Sequence, residues 1–188
     1  MKNFLLALSL VLSVNVQAAV IKFNLDASDY QVGDTISGQL VVSDFSGLLG
    51  AFWADMEYST SGVSVLGWSF GVGFDDGLGS LSIGNNDSVS GILSLEEYSD
   101  PFADTAILTA AQGTAFVLAN FTLEALSAGD YDLSLGLFGL LDFDNADVDT
   151  TAENARFSIT QVPEPATIVI FALASMMLLR IKRKQRKN

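Results

Sequence analysis

Between Asp142 and Asp149 the chain reads DFDNADVD, which puts five oxygen-bearing side chains, Asp142, Asp144, Asn145, Asp147 and Asp149, within eight positions. Hard cations such as Ca2+ take roughly six to eight oxygen ligands, so this is the segment whose chemistry suits a metal. Asp142, Asp144, Asp147 and Asp149 are the expected ligands, with Phe143 and Val148 as anchors. The spacing is not that of a helix–loop–helix calcium site, because Asp147 stands where such a loop needs glycine. The competing account is a solvated acidic loop, since like charges this dense repel unless water or a cation separates them. Ca2+ is the one cofactor the sequence suggests.

Other chemistry is thinner. The chain has no His and no Cys, which removes imidazole and thiol catalysis and the usual zinc ligand sets. Glu96 and Glu97 are adjacent, so an extended backbone points them apart. Asp55 and Glu57 share a strand face with no sign of a pocket, and the serines lack a base. The chain reads as a non-enzyme. Trp53 and Tyr58 are candidates for stacking on sugar rings, against the plainer account that they pack in a core. Asp75, Asp76, Asn85, Asn86 and Asp87 lie in a glycine-rich stretch and read as turn formers.

The elements that must position these residues are strands. Val20–Leu25, Thr35–Ser43, Gly50–Ser59, Gly62–Phe70, Ser88–Leu95, Thr114–Ala125, Tyr131–Leu140 and Ala155–Thr160 alternate apolar and polar side chains. Gly38 reads as a thin spot or bulge in the second of them. In Thr114–Ala125 the buried parity is expected to be Val117, Ala119, Phe121, Leu123 and Ala125. Residues 71–87 read as loops broken by a short Leu78–Ile83 segment. Glu96–Ala111 stays open between a crossover loop and a short helix. Short strands with Gly/Asp turns imply an all-β sandwich or jelly roll of about nine strands. Residues 20–161 hold 21 of the 22 acidic side chains and only Lys22 and Arg156 as basic ones, a formal charge of −19. Such a surface repels nucleic acid and anionic lipid.

The two ends differ from this middle. Residues 1–18 carry Lys2, an apolar Phe4–Val14 run and Val16-Gln17-Ala18 before a cut, the pattern of an export signal peptide. Residues 162–188 begin with Val162, Pro163, Glu164 and Pro165. An uncharged run, Ala166–Leu179, follows, and then the basic residues Arg180, Lys182, Arg183, Lys184, Arg186 and Lys187. The 14-residue run spans roughly 20 Å as a helix against a bilayer core of about 30 Å, and snorkelling basic side chains extend it. A single transmembrane helix is expected at 166–181, with the tail at 180–188 held in the cytoplasm.

This tail resembles the PEP-CTERM sorting signal of Gram-negative bacteria. The resemblance implies an exosortase-type membrane protease as partner. It also implies anchoring in the inner membrane with the domain in the periplasm, then release to the cell surface or an exopolysaccharide-rich biofilm matrix. A second resemblance covers residues 19–161. Val32-Gly33-Asp34-Thr35-Ile36, Leu49-Gly50-Ala51-Phe52, Met56-Glu57-Tyr58, Phe116 to Leu123 and Ala128-Gly129-Asp130-Tyr131 look like the cohesin-like sandwich, related in fold to carbohydrate-binding modules. The expectation is a non-enzymatic exported surface or matrix protein, sorted at its C-terminus by exosortase. The alternatives are a carbohydrate-binding module or a Ca-dependent adhesion or protein-interaction module, and more remotely a glycan-acting enzyme.

Overall fold

Alternation of apolar and polar side chains decides which segments become strands and which way each faces. A computed structural model describes residues 18–162. The strands are β1 (Ala19–Leu25), β2 (Asp29–Gln31), β3 (Thr35–Ser43), β4 (Leu49–Glu57), β5 (Val63–Phe70), β6 (Ser80–Asp87) and β7 (Ile92–Ser99). Helix α1 (Thr105–Gln112) follows, then β8 (Ala115–Ala125), β9 (Gly129–Asp142), β10 (Asp147–Val148), β11 (Thr150–Glu153) and β12 (Ala155–Thr160). One sheet runs β11-β1-β3-β8-β5. The larger runs β2-β12-β9-β4-β7-β6, with β10 added alongside β9. Twelve strands appear where about nine were expected, because β2, β10 and β11 are only two to four residues long.

The inner faces of the two sheets make one core. Ile21, Ile36 and Leu40 from the smaller sheet meet Phe52, Met56 and Leu93 from the larger, all fully enclosed. In β8 the expected buried parity holds from Ala119 to Ala125 but fails before it, where Phe116 and Leu118 turn inward. The cause is a bulge: Leu40 pairs with Ala119 and Val41 with Val117, so Leu118 is the extra residue. One inserted residue flips every side chain beyond it.

Helix α1 carries the chain from β7 in the larger sheet to β8 in the smaller, which resolves the segment left open by the sequence. Asp104 caps it, its Oδ1 accepting from the Ala106 amide at 2.8 Å and, weakly, from Ile107 at 3.4 Å. The Asp104 amide itself donates to Asp76 Oδ2 at 2.7 Å, tying the helix start to the 71–79 loop.

One part of the expected architecture is corrected. Among the described residues no helix is long and apolar enough to cross a membrane, and α1 has eight residues, about 12 Å of rise. The segment to which a span was assigned, 166–181, lies outside the described residues. So do the signal segment before Ala18, Pro163, Glu164, Pro165 and the basic residues from Arg180 to Lys187. Among the described residues the architecture is an all-β sandwich, and no helix there crosses a membrane. The inner-membrane location and C-terminal processing that rested on such a helix are withdrawn with it.

Candidate functional site

The outer face of the larger sheet is where side chains depart most from what a solvated β-surface requires. Register across β6, β7, β4 and β9 arranges it in rows. Leu81, Tyr98, Ala51 and Leu141 form the first row, and Ile83, Glu96, Trp53 and Gly139 the second. Beyond them Asn85, Ser94 and Asp55 align, then Asp87, Ile92, Glu57 and Ser134. One half is therefore apolar and aromatic, and the other is acidic. Leu81 is 62% exposed, Ile83 48% and Leu137 on β9 66%. Trp53 lies flat across the strand, over its partner Gly139, where an added Cβ would come within 2.2 Å of the indole. Tyr98 donates to Glu96 Oε2 at 3.1 Å, and Ser134 to Glu57 Oε2 at 3.3 Å.

The outer face of the smaller sheet is built differently. Asn24, Gln39, Asn120 and Ser69 align across four strands, beside Ser37 and Thr122. Gln39 Nε2 donates to Asn120 Oδ1 at 3.0 Å. That face is polar, the usual state of a sheet surface turned to solvent.

Glu97 points the other way from Glu96. It pairs with Phe52 on β4 and Ser82 on β6, facing the interior, and is 1% exposed. Burial pushes its carboxyl up to about 7, against the hydroxyls of Ser80 and Ser82, which hydrogen-bond to Oε1 and pull it down. The nearby Asp75 charge raises it further. A carboxyl held above its unfolded value stabilises the fold when protonated. Its contribution is complete below about pH 4.5 and fades as pH rises through about 7. In metal-free buffer we expect wild type to lose about 2 kcal/mol relative to Glu97→Gln between pH 4.5 and pH 8. Urea unfolding of both proteins across that range measures the difference. A flat difference would show that Glu97 does not titrate in this window. The sequence did separate Glu96 from Glu97, but β7 was expected to stop at Leu95, which hid the inward parity that Glu97 shares with Leu93 and Leu95.

The sequence-derived metal ligands do not converge. Asp142 Oδ1 accepts from the Asp144 and Ala146 amides at 2.9 and 2.8 Å, so its carboxylate closes the turn from β9 to β10. Asn145 adopts a positive φ of 65° in that turn. Asp144, Asp147 and Asp149 are exposed, while Val148 packs against the core as expected. Among the described residues no group of three or more acidic side chains is placed to hold a metal. Trp53 is on the outer face, whereas Tyr58 is buried inside and donates to Asn86 Oδ1 at 2.7 Å, so the two form no common strip. Asp75, Asp76 and Asp87 each accept backbone amides within their own turns. Val162 is exposed at the end of the described chain.

No family model matches the chain, and no curated protein matches it. Solved structures do. A type II cohesin domain from the cellulosome of Acetivibrio cellulolyticus superposes with a TM-score of 0.65 at 14% identity, covering 75% of this chain and 95% of that one. A type I cohesin–dockerin complex from Clostridium thermocellum, Coh-OlpC with Doc435, gives 0.62 at 14%, covering 77% and 93%. A non-cellulosomal cohesin from the archaeon Archaeoglobus fulgidus gives 0.59 at 14%, covering 80% and 96%. At these identities the likeness establishes the fold alone, a cohesin-like sandwich. It also corrects the expected partner: the complexes solved with this fold hold a dockerin, not a membrane protease of the exosortase type.

Proposed function

We propose that the domain is a non-catalytic protein-interaction module that receives its partner on the outer face of the larger sheet. The observation that carries this is the exposed apolar half of that face, Leu81, Ile83 and Leu137 around Trp53, beside a row of carboxylates. Clustered exposed apolar groups next to charge are the usual mark of a docking surface. The Clostridium thermocellum cohesin of this fold is captured with a dockerin, so a dockerin-type module is the partner class to test first. Its contact surface should be apolar against Leu81 and Trp53 and basic against Asp55, Glu57 and Asp87. The sequence anticipated an interaction module among its alternatives, without locating the face.

The test is calorimetric binding of the full chain to a panel of dockerin modules that differ in surface charge. A binder should lose at least about 30-fold in affinity on Trp53→Ala, as central aromatic contacts do, and comparably on Leu81→Asp. Gln39→Ala with Asn120→Ala, on the opposite sheet, should leave affinity unchanged. If no dockerin binds, or if binding tracks Gln39 and Asn120 instead, the proposal falls.

A further inference from the structure

The interior of a sandwich seldom holds a carboxylate without a cationic partner, because an ion removed from water must be compensated where it sits. Glu97 is such a carboxylate. Its Oε1 accepts from Ser80 Oγ at 2.5 Å and lies 3.5 Å from Ser82 Oγ. Its Oε2 is fully buried and has no hydrogen-bond partner. Two residues further along the same inward parity, Ser99 Oγ is also buried and unpartnered. Ser80 pairs with Ser99 and Ser82 with Glu97, so the edge strand β6 and its neighbour β7 bring these oxygens to one place.

Among the described residues no basic side chain reaches them. Between residues 20 and 161 only Lys22 and Arg156 are basic. Lys22 lies on β1, in the other sheet. Arg156 is exposed on β12, paired with Asp132 at 3.0 Å, and two strands, β9 and β4, separate β12 from β7. The nearby charge is instead a second negative one, Asp75 in the 71–79 loop, close enough to disfavour ionisation of Glu97. Asp75 is itself held by the Gly77 and Gly79 amides, which donate to its Oδ1 at 2.7 and 2.8 Å.

We propose that the unpartnered oxygens of Glu97 and Ser99, with Asp75 of the adjoining loop, form a site for one hard divalent cation, Ca2+. The donors are all oxygens, and the chain offers no Cys or His, so soft and borderline metals are disfavoured. Two carboxylates and a hydroxyl leave the remaining positions to water. That places the affinity on the order of 10⁻⁴ to 10⁻³ M, the range of extracellular Ca2+ modules. Ser80, Ser99 and Asp75 are half-buried while Glu97 is enclosed, so an ion can arrive along the Ser80–Ser99 row. Bound there, it would tie together β7, through Glu97 and Ser99, and the loop that precedes β6.

The test uses the full chain, stripped with chelator and held at constant ionic strength. At pH 7.5, saturating Ca2+ should raise the melting temperature by about 5 °C, since an ion bound only to the native state shifts folding. Glu97→Gln, which keeps a carbonyl acceptor for the serines, should abolish the response. Asp144→Asn with Asp147→Asn should preserve it. Ser99→Ala should weaken binding about tenfold by isothermal titration, and it serves as the second reading if Glu97→Gln fails to fold. Absence of saturable Ca2+ binding at millimolar concentrations would overturn the proposal. So would a response that survives Glu97→Gln, or an affinity unchanged in Ser99→Ala.

Discussion

Gln112→Leu is expected to cost about 4 kcal/mol of stability without altering the fold. Gln112 is the last residue of α1 and is 1% exposed. Its Oε1 accepts from the Leu49 amide at 2.9 Å, and its Nε2 donates to the Leu49 carbonyl at 2.8 Å and the Gly73 carbonyl at 3.0 Å. One side chain thus clamps the start of β4 and the loop after β5 to the end of the helix. Leucine fills nearly the same volume but leaves one amide and two carbonyls buried without partners, each worth about 1–3 kcal/mol. Gln112→Glu should be worse, because it removes both donated bonds and sets a carboxylate beside two carbonyls. Urea unfolding followed by tryptophan fluorescence would measure this, with Thr109→Ala on the exposed side of α1 as a near-neutral control. A loss under about 1 kcal/mol for Gln112→Leu would mean that water enters and replaces the clamp.

How far such features could be read from the sequence depended on whether local pattern or distant contact decided them. Thr35–Ser43 was legible to the residue because strict alternation and flanking turns leave one solution. Ala155–Thr160 was equally plain. Strand β6 was not, because Asn85, Asn86 and Asp87 favour turns, and only pairing with β7 holds them extended. Trp68 shares the inward parity of its partner Phe121, yet it is 37% exposed on the edge strand β5, where its indole reaches across to Gly84 of the other sheet. That contact joins residues of different sheets, and no local pattern announces it. The acidic Asp142–Asp149 segment drew attention by composition, while its role was set by two backbone amides that fold it into a turn. The carboxylate with unmet chemistry was Glu97, two residues past the expected end of its strand.

The second large effect concerns the pairing of aromatic rings with glycine. Trp53 over Gly139 is one case, and Phe121 with Gly38 is the buried one. These two are direct cross-strand partners in β3 and β8, both facing the core. A Cβ on Gly38 would come within 2.2 Å of Phe121 Cζ and 2.9 Å of Leu25 Cδ2. The ring therefore occupies the space that a side chain at 38 would otherwise fill, and it packs edge-on to Phe23 at 6.1 Å. Phe121→Ala should cost about 4 kcal/mol through the cavity it leaves. Gly38→Val should cost about 3 kcal/mol through overpacking, partly offset by better strand propensity. Together they should not add, because the valine enters the space vacated by the ring. The double variant should be about 2 kcal/mol more stable than the sum of the singles predicts, the range seen for residues in direct contact. A double-mutant cycle by urea denaturation decides it. Additivity within about 0.5 kcal/mol would mean that the glycine is required by the backbone of β3 rather than by the ring that covers it.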